Sequence, residues 1–289
     1  MKKGLVMEGG AMRGLFTCGI LDVFMENDID FDVAVGVSAG ATFGCNIKSR
    51  QAGRAVRYNK KYCTDKRYHS YRSLFMTGDI YNVKFCYDVL PRQLDVFDAD
   101  TFADDHMEFY CVATDCDTGE AVYYKCSDGG LTDFKWIQAS ASMPVFSRVV
   151  DIDDGHYLDG GISDSIPLKF MEEKECDKIL VIETQPKDYI KEKQEYMGVV
   201  RFKLRKYPEM IKAMENRHIM YNDEKKYIRE QEEKGKVFVL RPDEPLNISS
   251  IEKNPDEIER VYRIGRDMAE KNLSAIRDYL KKNDAKVKR

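Results

Sequence analysis

No stretch of the 289-residue sequence approaches the run of about 20 apolar residues that a bilayer-spanning helix requires. A helical membrane protein is thereby excluded. Met1-Lys2-Lys3-Gly4 leads straight into Leu5-Val6-Met7, with no long apolar segment and no small-residue cleavage site, so the start reads as a first strand and not as a signal peptide. The eight cysteines (18, 45, 63, 86, 111, 116, 126 and 176) include no Cys-x-x-Cys pair. Without an export signal they read as reduced thiols of a cytoplasmic chain, neither disulfides nor a zinc site. No metal-binding constellation, internal repeat or low-complexity segment is visible, so no metal, calcium included, and no cofactor is expected. The net charge of −4 disfavours nucleic acid as a partner.

What is present describes a globular protein: 43% hydrophobic and 33% charged residues, enough for one substantial core of the α/β kind with a helical cap. The charge is unevenly placed. Residues 48–72 hold nine cations (Lys48, Arg50, Arg54, Arg57, Lys60, Lys61, Lys66, Arg67 and Arg72) against one acid, Asp65, with tyrosines at 58, 62, 68 and 71 among them. Such a run is either a solvated helix face or a surface for peripheral contact with anionic membrane.

The chain turns on Val33-Ala34-Val35-Gly36-Val37-Ser38-Ala39-Gly40, where a short apolar run meets Gly-x-Ser-x-Gly and a helix-compatible segment. This is the form of a nucleophile elbow, in which a serine on a sharp strand-to-helix turn exposes its Oγ and small residues two before and two after avoid clashes. Ser38 is the candidate nucleophile. The helix beginning at Ala39 would aim free N–H groups and its positive dipole end at the anion that forms there.

Upstream, the strand at residues 4–7 runs into Glu8-Gly9-Gly10-Ala11-Met12-Arg13-Gly14 and then a helix. A glycine-rich turn at a helix N-terminus offers backbone donors to an anion, either a pyrophosphate or a tetrahedral oxyanion. Gly9-x-Ala11-x-x-Gly14 is one substitution from the dinucleotide fingerprint, which requires an acid at the end of the second strand. Asp30 and Asp32 precede that strand, and Ser38 stands at its end, which favours the oxyanion.

Further along, residues 107–113 read as a core strand, 117–120 as a hairpin turn into 121–124, and 131–142 as a short helix carrying Trp136, the sole tryptophan. A second hairpin at 149–158 leads to Asp159-Gly160-Gly161, by itself a common turn signal. A helix from Pro167, strands at 178–182 and 237–240, and a closing amphipathic helix with Ile258, Val261, Tyr262, Met268, Ala269, Ile276, Tyr279 and Leu280 on one face complete the pattern. Residues 188–234 read as one or two surface helices. The fold expected is a three-layer α/β sandwich around a mainly parallel central sheet. Residues 1–185 form the core, with a cap or insertion at 60–106, and 186–289 form a helical extension with one further strand packed on the same domain.

Glu8-Gly-Gly-Ala-Met-Arg-Gly14, Gly36-Val-Ser-Ala-Gly40 and Asp159-Gly-Gly161, in that order, resemble the bacterial patatin-like phospholipases. The likeness takes in Gln138-Ala-Ser-Ala-Ser-Met-Pro144 and Gly161-Ile-Ser-Asp-Ser-Ile-Pro167, and spans about residues 4–185. It implies a lipid acyl hydrolase with a Ser-Asp dyad: Ser38 attacks an ester carbonyl, and Asp159 takes its proton and later passes one to the leaving alcohol. The resemblance also implies that the amides of Gly9, Gly10 and Ala11 hold the oxyanion and that Arg13 braces the loop or adds positive potential, with Gly14, Gly36, Gly40, Gly160 and Gly161 supporting the motifs. Nothing functional carries over to the C-terminal segment. The family usually has Asp at Glu8 and a third glycine at Ala11, and a Cβ there is troublesome if the backbone needs positive φ.

Two other readings stand beside this one. A Ser-Asp-His esterase would need His218, or else His156, as base. A catalytically weak lipid-binding or regulatory module would keep the fold and lose the chemistry, as the substitutions at Glu8 and Ala11 invite.

Overall fold

The computed structural model describes residues 1–281, so residues 282–289 of the expected C-terminal extension lie outside the described residues. An eight-stranded sheet organises the chain in the order β5-β6-β3-β2-β1-β7-β8, with β4 paired to β3 off that path. The strands are β1 (Lys3–Met7), β2 (Val33–Val37), β3 (Glu108–Asp115), β4 (Ala121–Cys126), β5 (Val150–Ile152), β6 (Gly155–Asp159), β7 (Lys178–Ile182) and β8 (Val237–Leu240). β3, β2, β1, β7 and β8 run parallel. The hairpin strands β4 and β6 both join β3 antiparallel, β4 along most of its length and β6 at its C-terminal end. Asp159 is thereby set opposite Ala113, on a neighbour of the strand that ends in Ser38.

The parallel strands read as continuous apolar runs because both of their faces are covered. Leu5, Met7, Ala34, Phe109, Leu180 and Ile182 point to one face. There they meet α1 (Gly14–Glu26), α2 (Ala39–Lys48) and α10 (Pro255–Lys281). The alternate residues Val6, Val33, Val35, Val37 and Val181 point to the other. That face packs on α7 (Leu168–Glu173) and α9 (Pro208–Glu233), which contributes Tyr221 and Ile228. This is the mixed α/β sandwich that the strand pattern predicts, with α10 packed on α1 through the apolar face read from the sequence.

The basic run is broken up: Lys48 and Arg54 are buried, and the other seven cations stay exposed. Residues 48–72 divide into the end of α2, α3 (Arg54–Tyr62) and a turn. Lys48 is buried, giving its ammonium to the carbonyls of Asp105 and Met107 at 2.6 and 2.8 Å. Arg54 is buried against Asp95, which Arg57 also engages. Arg50 pairs with Asp30 and Asp105, Lys60 with Glu259, and Arg67 with Asp65. Tyr58, Tyr62 and Tyr68 are core residues. Much of the excess of cations is thus answered by acids and carbonyls, most of them distant in the chain, while Lys61, Lys66 and Arg72 stay exposed.

After it come α4 (Tyr71–Thr77), a π-helical segment (Phe85–Leu94) that accommodates Pro91, and α5 (Ala99–Asp104). On the face that carries α1, α2 and α10, α6 (Leu131–Ser140) stacks Trp136 on Tyr124 of β4 at 4.7 Å, and on the opposite face α8 (Met197–Lys203) packs on α9.

A buried ion network ties α9 to the sheet. Glu183, at the end of β7, accepts from Lys225 of α9 at 3.0 Å and from Arg241 beyond β8 at 2.6 Å. Burial raises the Glu183 carboxyl above its usual range, and the two cations oppose that shift. Losing one partner of a buried pair leaves an uncompensated charge. Lys225→Met should therefore cost about 3 kcal/mol of unfolding free energy at pH 8. At pH 5 the cost should be smaller: a carboxylate with a raised folded-state pKa destabilises the native state only once it ionises, so protonation of Glu183 relieves the variant. Denaturant titrations at the two pH values measure both.

Candidate functional site

Ser38 sits between β2 and α2 with φ 55° and ψ −117°, a conformation that costs a non-glycine residue about 1–3 kcal/mol. The turn survives because it is clamped from both sides. A Cβ at Gly36 would lie 2.3 Å from the Gly40 carbonyl oxygen, and one at Gly40 would lie 2.4 Å from that of Met7. The two glycines of the motif are therefore needed for close backbone approach, which brings β1, β2 and the first turn of α2 into direct contact. The Ser38 N–H donates to Ser140 Oγ of α6 at 3.0 Å.

The Ser38 hydroxyl donates to Asp159 Oδ2 at 2.7 Å. Asp159 is 1% exposed, and its other oxygen accepts the Gly161 N–H at 2.8 Å. Gly160 and Gly161 begin a 3₁₀ turn directly after β6, with Gly160 pressed on the Val112 carbonyl. The Asp159 carboxyl is raised above its ordinary range by burial, against the opposing influence of the Ser38 hydroxyl, of Arg217 and of the Gly161 amide.

The glycine-rich loop passes over this pair. Gly9 lies against Ser38, where a Cβ would come within 2.9 Å of the serine Cβ. Among the described residues the N–H groups of Gly9, Gly10 and Ala11 donate to no acceptor. Ala11 has φ 48°, so the third glycine position does fall in the left-handed region, and its Cβ is tolerated because the residue is exposed. Gly14 packs on Ala39 and Phe43, joining the loop to α2.

The Arg13 N–H donates to the Gly10 carbonyl at 3.1 Å, but its side chain makes no hydrogen bond or ion pair among the described residues, and Nε is buried without a partner. Bracing of the loop comes instead from Glu8 and Thr184. Glu8 accepts the Thr184 N–H at 2.5 Å and the Tyr221 hydroxyl of α9 at 2.7 Å, and Thr184 Oγ1 donates to the Gly9 carbonyl at 3.1 Å. The longer Glu side chain, in place of the family's Asp, is what meets a tyrosine on α9.

These groups line one cavity of about 410 Å³, walled by Tyr68, Tyr81, Tyr87 and Leu90 from the segment after α3 and by Lys191, Tyr196 and Arg217 from the C-terminal segment. Arg217 Nε donates to the Gly161 carbonyl at 2.6 Å. The sequence reading assigned nothing functional beyond residue 185. The spacing of residues 188–234 shows helices but not which face looks into the cavity. Of the histidines, His156 pairs with Asp117 at 3.0 Å on the hairpin, and neither His156 nor His218 touches Asp159. No cluster of potential metal ligands occurs among the described residues.

Fold and site together define a patatin-like hydrolase scaffold, and comparison with known proteins bears this out at family level. Residues 5–171 match the family model described as patatin-like phospholipase, more than half of the chain, so the chain belongs to that family. A second model, a domain of unknown function (DUF6363), matches residues 207–281, which hold α9 and α10. The Escherichia coli K12 protein YjjU is 27% identical over 91% of this chain and 74% of its own length. The lysophospholipase nte1 of Emericella nidulans is 27% identical over 62% of this chain, which spans only 12% of the fungal protein. The crystal structure of VipD from Legionella pneumophila aligns over 95% of this chain and 67% of its own, at a TM-score of 0.48 and 14% identity.

At Ala11 a left-handed L-residue carries about 1–2 kcal/mol of steric cost, partly offset by the smaller entropy of its unfolded state. Ala11→Gly should therefore raise stability by about 0.5–1 kcal/mol, visible as a higher midpoint in thermal or denaturant unfolding.

Proposed function

We propose that the protein is a lipid acyl-ester hydrolase working through a Ser38–Asp159 dyad. The observation that carries this reading is the 2.7 Å hydrogen bond from a strained serine hydroxyl to a buried aspartate at the wall of an aromatic-lined cavity. Ser38 Oγ attacks the ester carbonyl as its proton passes to Asp159 Oδ2, forming a tetrahedral intermediate. The uncommitted N–H groups of Gly9, Gly10 and Ala11 stabilise the oxyanion, each such donor being worth about 3 kcal/mol in the transition state. The intermediate collapses as Asp159 returns the proton to the leaving alcohol. Water, deprotonated by the same carboxylate, then releases the acyl group from Ser38.

Burial suits Asp159 to this double duty. A carboxyl with a raised pKa is a stronger base when ionised and a competent acid when protonated, whereas a solvated aspartate is a poor base. The direct Ser38–Asp159 contact favours a dyad over a Ser-Asp-His arrangement, because it leaves no place for an imidazole between the two.

Lipid as the substrate class is supported by family membership and by the cavity's surroundings. Tyr71, Phe75 and Met76 of α4 are exposed, Phe75 at 89%, as are Phe146 at the cavity and Val199 and Phe202 of α8. The Ile80 N–H bonds the Phe146 carbonyl and the Lys203 ammonium bonds that of Val145, so both helices border the same rim. Peripheral contact with a bilayer is assigned to this apolar rim, in place of the cations of residues 48–72, most of which are engaged within the protein.

Ser38→Ala and Asp159→Asn should each lower kcat/KM on a p-nitrophenyl ester and on a phospholipid by about 10³-fold or more, while His156→Ala and His218→Ala keep most of it. Full activity in a folded Ser38→Ala variant would defeat the assignment. Asp159 must be ionised to accept the serine proton, so the acid limb of the kcat/KM profile should lie above the ordinary aspartate value of about 3.9.

A further inference from the structure

Three cations converge on the cavity wall beside Ser38 with almost all of their donors unused. The Arg13 side chain has no acceptor among the described residues. Lys191 Nζ stands over the Tyr221 ring at 4.2 Å and the Tyr189 ring at 5.7 Å, and among the described residues no carboxylate or carbonyl reaches it. Arg217 commits its Nε to Gly161, and its terminal nitrogens find no acceptor among the described residues. The nearby acids are already engaged: Glu8 by Tyr221 and Thr184, Asp159 by Ser38 and Gly161, and Glu224 by the amides of Ser165 and Ile166.

Glu8, Asp159 and Glu224 lend the cluster negative charge but hydrogen-bond none of the three cations, so their free donors stay unfilled until an acceptor enters the cavity. The arrangement is built. Asn222 of α9 clamps the backbone of Lys191 on both sides, accepting its N–H at 2.9 Å and donating to its carbonyl at 3.0 Å. Burial and the neighbouring Arg217 push the Lys191 pKa down to about 8, with Glu8 opposing and Arg13 adding to the shift.

We propose that Arg13, Lys191 and Arg217 form a subsite for the phosphate of a net-negative lipid head group, held beside the scissile ester. The proposal rests on the reading of the Ser38 cavity as the acyl-ester site and names the substrate class it selects. Guanidinium and ammonium groups are the side chains that bind phosphate oxygens by charge-assisted hydrogen bonds. A zwitterionic head group would carry its ammonium into a cluster of cations. A neutral glyceride would leave their unused donors unfilled. Two of the three cations come from the segment after residue 171, outside the part that matches the patatin-like model.

The test is direct binding to Ser38→Ala protein, which needs no turnover, by calorimetry with octyl phosphate, octylphosphocholine and 1-O-octylglycerol. Octyl phosphate should bind about tenfold or more tighter than either other ligand. Lys191→Met should remove most of that margin, Lys191→Arg should keep it, and Asn222→Ala, which retains every charge but frees the loop, should reduce it. Between about pH 7.5 and 9.5, where the phosphate stays dianionic, affinity should fall as Lys191 loses its proton, and this slope should vanish in Lys191→Arg. The groups facing Lys191 are Tyr189 on its own segment, Tyr221, Arg217 and Glu224 on α9, and Arg13 and Glu8 on the loop. Equal affinity for the three ligands, or a margin that survives Lys191→Met, overturns the subsite. Loss of p-nitrophenyl ester hydrolysis is a separate readout on the wild type, so failure of the hydrolase reading is recognised independently.

Discussion

Everything at the candidate site depends on how closely three pieces of backbone approach one another. Gly36 lies on the Gly40 carbonyl, Gly40 on that of Met7, and Gly9 on the Ser38 side chain. No side chain larger than hydrogen fits at these contacts, so the end of β1, the end of β2 and the start of α2 are locked into one rigid unit. That unit holds Ser38 in a backbone conformation it would not adopt alone and places the uncommitted amides of the glycine-rich loop above it. Strain of this kind persists only where the surroundings over-determine it.

The aspartate arrives by a different route. It rides on an antiparallel hairpin grafted onto the edge of a parallel sheet, and its strand neighbour β3 is the strand beside the serine's own. Thr114 on β3 donates to the Asp159 carbonyl, and the Asp159 N–H donates to Ser142 after α6. The serine and the carboxylate are therefore positioned by separate elements meeting at β3, and the hydrogen bond between them records that meeting. Both ends of it are fixed by main-chain contacts, which keeps the pair together without a third side chain to orient it.

Much of this was legible in the sequence, for physical reasons particular to each element. The apolar runs at 33–37 and 178–182 read as buried parallel strands because both faces of the sheet are covered. The spacing of Gly-x-Ser-x-Gly encodes the backbone contacts just described. Other features rest on contacts between residues far apart in the chain. Glu8 meets Tyr221 across 213 positions, and Lys48 buries its charge on carbonyls 57 and 59 positions away. Nothing local distinguishes such a lysine from a solvated one, so the run at 48–72 read as surface. The face of α9 was hidden likewise, since its charged residues look polar in sequence yet Lys225 and Tyr221 are buried.

The packing of α1 on α10 sets a condition on how the molecule comes into being. Gly19 and Gly265 let the two helices touch backbone to backbone, although about 240 residues separate them, and β1 must still find β7 some 175 positions on. Contacts of such separation form slowly, because the entropy of closing so large a loop is lost before the contact contributes anything. On a ribosome, the first helix therefore waits for the last, and Glu8 waits for Tyr221. A nascent chain that already carries Ser38 and Asp159 lacks the floor beneath its glycine-rich loop until α9 has emerged, so synthesis itself orders the appearance of the completed cavity.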